Sequence, residues 1–374
     1  MSARVVIDAT PFLFTHSGVG RVSLRVVEEM LSLLADPSEP ASEIELGFVA
    51  RSLRGQLQHE LGAPIKRLRL PRSAESLMRR TGLIERLSPA VLYHATDHAM
   101  PLRRPEAAVT TIHDLLFMIR PEAHMAEQHA YQAATVPDFA TRCRRVITCS
   151  ENSKRDIMEH LGIPEDRIDV IYWGIDRKVF TPPAVPSEAR ERLRAELNID
   201  GPFILGIGCS LGRKNTPCLL EAWRAIKDRV DAKLVLVWNP PEAARQQFGD
   251  ILGHESVICT GRVSDEILVD LYGCAEVAVY PSLYEGFGLP VLEAMSCGTP
   301  MITSNVSSLP EVGGEVAAYI DPSSWESLAE KIPDVLGQDR QQLAARGIAH
   351  CNQFTWEQTA RKTLAVYQRA LKEA

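Results

Sequence analysis

The segment 280–302 joins a strand-like run, a glycine-rich turn and a short apolar helix. The run from Val277 to Tyr280 has the length and β-branched content of a strand that is buried on both faces. Gly286 and Gly288 then free the backbone where the helix begins, and Pro290 takes the first helical position, where proline is best tolerated. A glycine ends the helix before a further apolar run. The pattern predicts a β-α-β unit whose turn faces a ligand.

Two carboxylates flank this turn, Glu285 before it and Glu293 eight positions later. Unpaired N–H groups and the helix dipole favour negative charge at a helix start, so the turn predicts an anion site. Ionised carboxylates only accept hydrogen bonds, and sugar or ribose hydroxyls are natural donors to them. Two simpler interpretations stay open: Glu293 complements the helix dipole, and Glu285 is a solvated loop acid.

The order Glu285, Gly286, Phe287, Gly288 and then Glu293 resembles the E-x7-E signature of retaining GT-B glycosyltransferases, in particular those of family 4. The resemblance extends over nearly the whole chain. It implies an α/β fold of two Rossmann-like, doubly wound domains that face each other across a cleft. It also implies transfer of a hexose from a nucleotide sugar with retention at the anomeric carbon.

Two adjacent cations, Arg213 and Lys214, follow the apolar run 203–208 and stand at the start of a helix. They can clamp a diphosphate and neutralise the charge that grows as the sugar bond breaks, although a solvated pair is a common alternative. In the resembled family this segment supplies the lysine, here Lys214. Some members carry a further arginine at a position that corresponds to Cys209 or Ser210, and this sequence has none there. The residue that binds the second phosphate therefore stays open.

The resemblance also assigns the remaining donor contacts. Glu293 binds the ribose, while Glu285 and the backbone from Gly286 to Leu289 hold the sugar hydroxyls. Arg262 and Val263, in a turn after a later strand, are the candidates for holding the nucleotide base. The sequence contains no D-x-D motif. We expect no metal or other cofactor, because the two cations and the helix start can do the electrostatic work of an ion.

The chain opens with a second strand, loop and helix pattern. The run from Arg4 to Ala9 precedes a loop with Gly18 and Gly20, and a helical pattern extends from Val22 to Leu34. This order is typical of a nucleotide-binding half, but a lone G-x-G fits a plain turn better. The resemblance implies that Gly18 and Gly20 close over the donor diphosphate.

A histidine and an aspartate, His113 and Asp114, follow the predicted strand from Ala108 to Ile112. The carboxyl end of a strand is a ligand-binding position in an open parallel sheet, although a core histidine beside a capping aspartate gives the same pattern. The surrounding segment resembles the family's amino-domain motif, in which the histidine lies against the donor sugar. We therefore place His113 with Glu285 and Lys214 among the catalytic candidates.

Charge is unevenly distributed along the chain. The formal net charge of −7 gives no reason to expect a nucleic acid partner. The region 51–104 has eleven basic and four acidic residues, a net charge of +7, so the remainder carries −14. Within the region 51–104, the sequence ESLMRRTGLIERL predicts a helix that mixes leucines with arginines. Helices that lie on an anionic membrane surface have this composition. An ordinary amphipathic helix with a solvated basic face is the alternative. The resemblance keeps membrane contact open, because many relatives use polyprenyl-diphosphate-linked or membrane-bound acceptors.

The chain of 374 residues is long enough for two domains. Three prolines predict a semi-rigid linker at 182–188, between a first domain at 1–181 and a second at 189–354. The segment 355–374 is an amphipathic helix, which the resemblance implies returns to the first domain. The eight scattered cysteines indicate a reducing compartment. With no apolar signal region and no run near the roughly 18 apolar residues that span a bilayer, we expect a cytoplasmic protein, with peripheral contact at the inner membrane face through region 51–104.

The resemblance as a whole implies metal-independent hexosyl transfer to a glycan or polyprenyl-diphosphate-linked acceptor in polysaccharide assembly. The segments TIHDL and SNVSSLPEV look most like those of mannosyl- and related transferases, so GDP-mannose is the first donor to expect. Two alternatives stay open. One is a nucleotide-sugar 2-epimerase of the same architecture, which needs no acceptor, and the other is a non-catalytic nucleotide-sugar-binding subunit.

Overall fold

The computed structural model describes residues 3–14, 18–53, 61–121 and 126–373. The chain divides into two compact units. The first unit comprises residues 1–174 and 355–374, and the second comprises residues 175–354. Each unit is built on one parallel β-sheet.

The first unit contains a seven-stranded sheet whose strands are all parallel, in the order β3-β2-β1-β4-β5-β6-β7. The strands are β1 (Ala3–Asp8), β2 (Ile44–Arg51), β3 (Ile65–Leu68), β4 (Leu92–Ala95), β5 (Ala108–Ile112), β6 (Arg145–Thr148) and β7 (Ile168–Val170). The connecting helices are α1 (Gly18–Leu34), α2 (Glu75–Thr81), α3 (Leu83–Leu87), α4 (Leu116–Ile119), α5 (Ala126–Arg142) and α6 (Glu151–Leu161). Strands buried on both faces and covered by helices explain the continuous apolar runs in the sequence.

The second unit contains a six-stranded parallel sheet in the order β10-β9-β8-β11-β12-β13, the strand order of a Rossmann fold. Its strands are β8 (Phe203–Gly206), β9 (Lys233–Leu236), β10 (Val257–Cys259), β11 (Val277–Tyr280), β12 (Met301–Ser304) and β13 (Ala318–Ile320). Its helices are α7 (Pro186–Leu197), α8 (Thr216–Ile226), α9 (Glu242–Leu252), α10 (Asp265–Cys274), α11 (Leu289–Ser296), α12 (Leu309–Gly313), α13 (Trp325–Leu336) and α14 (Arg340–Cys351). The strand and helix predicted around the glycine-rich turn are confirmed as β11 and α11.

The last helix, α15 (Trp356–Lys372), belongs to the first unit, where it packs against α1. The predicted apolar face is confirmed, since Ala360, Leu364 and Tyr367 are all buried. At the start of α15 the chain passes close to Gly174, where an added Cβ would lie 2.3 Å from the Trp356 amide nitrogen.

The division between the units lies at Gly174, earlier in the chain than the predicted linker at 182–188. Packing explains the difference. Phe180 is buried and its ring lies 6.2 Å from that of Tyr272, while Pro183 sits so close to Gly273 that an added Cβ there would lie 2.2 Å from its ring. The end of the predicted linker is the first turn of α7. These residues therefore belong to the second unit.

The prediction of a single helix over ESLMRRTGLIERL is wrong, because this segment forms two separate helices, α2 and α3. Gly82 breaks them apart in a left-handed conformation with φ 62°. Met78 and Ile84 are buried in the unit, whereas Leu77 and Leu87 are 62% and 38% exposed. Only part of the apolar pattern therefore faces solvent.

The order of each sheet reverses at one pair of neighbouring strands, β1 and β4 in the first unit and β8 and β11 in the second. Ligands of doubly wound sheets bind beside the carboxyl ends of such strands. Across the described ranges, no helix is both long enough and apolar enough to traverse a bilayer.

Candidate active site

The reversal point of the second sheet brings two loops together. Gly208, just after β8, has φ 61°, and an added Cβ there would lie 3.0 Å from the ring of Tyr280 at the end of β11. The amide of Leu283 donates a hydrogen bond of 2.9 Å to the carbonyl of Arg213 and so joins the two loops. The sheet therefore places the cations that follow β8 beside the glycine-rich turn that follows β11.

Glu285 is the centre of a charged cluster at this point. The Lys214 ammonium and the Tyr280 hydroxyl each donate to Oε1 of Glu285 at 2.8 Å. The Arg213 guanidinium donates to Oε2 of Glu285 and lies 3.3 Å from the carbonyl of Tyr284. The Glu285 side chain is only 8% exposed, which rules out a solvated loop acid in this structure. Three of the predicted site residues thus meet in one cluster around a buried carboxylate.

The charges of the cluster fix its protonation. Burial alone would raise the pKa of Glu285, but the positive charges of Lys214 and Arg213 outweigh it and hold that pKa at about 2. Burial, with the charge of Glu285, raises the pKa of Tyr280 well above its ordinary value. At neutral pH Glu285 is an ionised acceptor, and Tyr280 is a neutral hydroxyl that can donate to it.

Two serines after β12 hold the glycine-rich turn in place. The Ser307 hydroxyl donates to the carbonyl of Glu285 at 2.6 Å and accepts from its amide at 3.1 Å. The Ser308 hydroxyl lies 2.8 Å from the carbonyl of Phe287 and is fully buried. Sequence reasoning missed both serines, because their role depends on contacts with a loop some twenty residues away.

The turn ends at Gly288, which has φ 103° and is the residue before α11. An added Cβ at this glycine would lie 2.7 Å from Cδ2 of Leu309. Helix α11 begins with Leu289, so its amino end adjoins the loop that carries Glu285. Amide groups at a helix start favour an anion at this position.

Glu293 lies within α11 and is buried. The hydroxyl of Tyr272, in α10, donates to its Oε2 at 3.0 Å. Burial raises the pKa of Tyr272 well above its ordinary value, and the neighbouring charge of Glu293 raises it further. The second glutamate is therefore also held by a neutral tyrosine hydroxyl.

The remaining donor candidates of this unit follow a different strand of the sheet. Arg262 and Val263 follow β10, an edge strand of the sheet that β9 separates from β8. Gly261 turns the chain with φ 71°, and Ser264 caps α10 by accepting from the amide of Ile267 at 3.3 Å. Both candidates are at the carboxyl edge of the same sheet as Glu285.

In the first unit, His113 lies at the carboxyl end of β5 and is buried. Its Nε2 is 3.0 Å from the carbonyl of Thr96, which accepts the hydrogen, and its ring centre is 5.7 Å from that of Trp173. Burial lowers the pKa of His113, and the nearby His98 lowers it further. At neutral pH the ring is a neutral imidazole with its hydrogen on Nε2.

His98 adds a second histidine that the sequence analysis did not single out. It adopts a left-handed conformation with φ 61°, unusual for a residue with a side chain. Its Nδ1 lies 2.5 Å from Oδ1 of Asp97 and its Nε2 lies 3.2 Å from the carbonyl of Asp114. Burial alone would lower the pKa of His98, but the hydrogen bond to Asp97 and the negative charge of that carboxylate raise the pKa above its ordinary value.

Gly18 and Gly20, which the sequence predicts to lie in a loop, are instead at the start of α1. The helix begins at Gly18, four residues before the predicted start at Val22. Gly18 is exposed and Gly20 is buried, and both belong to the first helical turn. Residues 15–17 of the predicted loop lie outside the described residues.

Two family models match the chain. The model described as glycosyl transferases group 1 matches residues 189–350, and the model of glycosyltransferase family 4 matches residues 31–179. The chain is also 30% identical, over 395 aligned positions, to the O-antigen chain mannosyltransferase B of Escherichia coli. That alignment covers 98% of this chain and 99% of the relative.

The chain belongs to the group 1, family 4 glycosyltransferases. The predicted family is confirmed, and the protein is a glycosyltransferase. A solved glycosyltransferase from Rickettsia africae ESF-5 has a TM-score of 0.77 and 19% identity over the full length of both chains. HepE from Anabaena, solved with UDP-glucose, has a TM-score of 0.72 and 17% identity over 98% of this chain and 99% of HepE. The predicted GT-B fold, with two Rossmann-like domains, is confirmed.

Proposed function

We propose that this glycosyltransferase transfers a hexose from a nucleotide sugar, with mannose from GDP-mannose as the first candidate, to a glycan or lipid-linked acceptor in polysaccharide assembly. The observation that carries the proposal is the cluster of Arg213, Lys214 and Glu285 at the reversal point of the second sheet. It combines cations for a diphosphate with an ionised acceptor for sugar hydroxyls. The choice of mannose is supported by the O-antigen chain mannosyltransferase to which the chain is similar.

In the proposed reaction the bond between the anomeric carbon and the diphosphate oxygen breaks as the acceptor oxygen attacks from the same face. Attack on the face that the leaving group departs from retains the configuration, and the acceptor proton passes to the leaving phosphate oxygen. Lys214, Arg213 and the amino end of α11 stabilise the negative charge on the leaving group. We infer from this that transfer needs no metal ion.

The remaining residues of the proposal position the donor. Glu285 accepts hydrogen bonds from the sugar hydroxyls, the backbone of the glycine-rich turn also bonds to the sugar, and Glu293 accepts from the ribose hydroxyls. Arg262 and Val263 contact the base. In the first unit, the neutral ring of His113 lies against the sugar, and the amides of Gly18 and Gly20 at the start of α1 bind the diphosphate.

The test is release of nucleotide from a panel of GDP-, UDP- and dTDP-sugars with EDTA present, using water as a slow acceptor. We expect release from GDP-mannose, which would identify base and sugar together and show transfer without a metal. Isomerised sugar without release would instead indicate the epimerase. Binding of GDP with neither product, even after addition of glycan acceptors, would favour the binding subunit.

We also propose that the α2–α3 region docks on an anionic membrane surface, close to a lipid-linked acceptor. Leu77 and Leu87 are exposed beside the exposed arginines Arg80 and Arg86. Exposed apolar side chains among cations suit a headgroup boundary. Sedimentation with vesicles of anionic lipid should capture the protein, and Leu77→Gln with Leu87→Gln should reduce capture. The control Val185→Gln, at an exposed site in the second unit, should not.

A further inference from the structure

Each glutamate of the E-x7-E motif accepts a hydrogen bond from its own buried tyrosine. Tyr280, the last residue of β11, donates to Glu285 at 2.8 Å, and Tyr272, in α10, donates to Glu293 at 3.0 Å. Both tyrosines are among the largest fully buried side chains of the protein, with 0% and 1% exposure. A buried hydroxyl needs a partner, and in both cases the partner is a charged site residue.

Tyr280 also contacts the lysine of the cluster. The Lys214 ammonium donates to the Tyr280 hydroxyl and lies 4.6 Å from the centre of its ring. The hydroxyl therefore accepts from Lys214 while it donates to Glu285, and Lys214 bonds directly to the same carboxylate oxygen. Three groups form a closed triangle, so the tyrosine fixes the spacing between the cation and the carboxylate.

Packing holds both tyrosines in place. The Tyr280 carbonyl accepts from the Thr303 hydroxyl at 2.9 Å, and its ring fills the space beside Gly208. The Tyr272 ring lies 6.2 Å from that of Phe180, and its carbonyl accepts from the Thr299 hydroxyl. A site whose supporting residues are locked by packing keeps its reacting groups within the tolerance that catalysis requires.

We propose that Tyr280 and Tyr272 are positioning residues with separate tasks. This proposal rests on the proposed function of the site. Tyr280 orients Glu285 and Lys214 for the transfer step. Tyr272 orients Glu293 for the nucleotide. The two tasks follow from the two glutamates, because the Tyr280 hydroxyl donates to Glu285 and the Tyr272 hydroxyl donates to Glu293.

The test compares Tyr280→Phe with Tyr272→Phe, since each change removes one hydroxyl and keeps the ring. In Tyr280→Phe we expect kcat for GDP-mannose, or for the donor that the panel identifies, to fall about 10- to 100-fold because misplaced reacting groups slow transfer. The Kd for GDP should rise by less than about tenfold, because Lys214 loses its bond to the hydroxyl but keeps its bond to Glu285. In Tyr272→Phe the Kd for GDP should rise about fivefold or more, with kcat nearly unchanged, as expected when one hydrogen bond to a charged group is lost.

A matched control is Tyr93→Phe in the first unit, where a buried hydroxyl donates to the Ser88 carbonyl at 3.0 Å. This variant should lose stability as the other two do but keep both kcat and Kd. Equal effects of Tyr280→Phe and Tyr272→Phe on kcat and Kd, or none beyond those of the control, would overturn the proposal.

Crystal structures of the two variants give a readout that does not depend on activity. The proposal predicts that Glu285 or Lys214 changes rotamer in Tyr280→Phe, and Glu293 in Tyr272→Phe, while the backbone of the loop stays in place. If Glu285, Lys214 and Glu293 all keep their positions in the variants, the positioning role is overturned. A wild-type protein that neither binds GDP nor releases any nucleotide would instead refute the proposed function.

Discussion

Replacement of Glu285 by glutamine tests the electrostatics of the cluster. Glutamine has nearly the same shape as glutamate and keeps a hydrogen-bond acceptor, but it removes the charge that Arg213 and Lys214 share. Both cations are largely covered, with side chains 27% and 19% exposed. The change therefore leaves two partly buried positive charges beside each other without their counter-ion.

The size of the effect follows from the pKa of Glu285, which folding lowers from an ordinary value of 4.5 to about 2. At about 1.4 kcal/mol for each pKa unit, the ionised form stabilises the folded protein by on the order of 3 kcal/mol. Because the pKa is lowered, this stability is present above pH 4.5 and is lost as the pH falls towards 2. Solvent access to the two cations makes the figure an upper value.

The assay is thermal unfolding of the parent, of Glu285→Gln and of the control Glu255→Gln, which changes the same atoms at an exposed position. At pH 7 we expect the Tm of the second unit to fall by roughly 6–12 °C in Glu285→Gln, from about 2–4 °C per kcal/mol for a unit of this size. The control should match the parent. A Glu285→Gln protein that is as stable as the parent at pH 7 would refute the assignment of the charges.

Two further substitutions test the backbone of the glycine-rich turn and the titration of His98. Gly288→Ala puts a side chain on a backbone with φ 103° and against Leu309. We expect the free energy of unfolding to fall by about 1–3 kcal/mol and GDP binding to weaken. The control Gly249→Ala, which has open space around it, should change neither the stability nor the binding in this way. His98→Asn keeps a residue that tolerates the left-handed backbone but removes the imidazolium beside Asp97. Since folding raises the pKa of His98, its contribution is complete below about pH 6.5 and disappears as the pH rises through the folded value. Urea unfolding between pH 6 and 9 should show the deficit of the variant shrinking, and a constant deficit would contradict the pairing.

Local patterns predicted much of the architecture. The strand before the glycine-rich turn is β11, and the short apolar helix after the turn is α11. The pairing of Glu285 with Arg213 and Lys214 was not visible as such. The sequence shows only that each group follows a predicted strand, and the carboxyl ends of parallel strands lie at one edge of the sheet.

What the sequence did not reveal depends on tertiary contacts. Tyr280 and Tyr272 sit in apolar runs where an aromatic residue needs no special explanation, and only the fold brings their hydroxyls to the two glutamates. Ser307 acts through a loop distant in sequence. Gly82 looked like one residue inside a helical pattern, but its left-handed backbone separates two helices. For the tyrosines and Ser307, packing and not local preference decided the outcome, whereas Gly82 ends α2 through the left-handed backbone that glycine adopts readily.

The most direct measurement of the central claim is calorimetric titration of GDP into the wild-type protein and into Lys214→Met, with EDTA present. If Lys214 holds the donor diphosphate, loss of a charge-assisted hydrogen bond should raise the Kd about 10- to 100-fold. The control Lys233→Met, whose ammonium pairs with Asp200 at an exposed site, should bind as the wild type does. An unchanged Kd in Lys214→Met would contradict the account and place the diphosphate elsewhere.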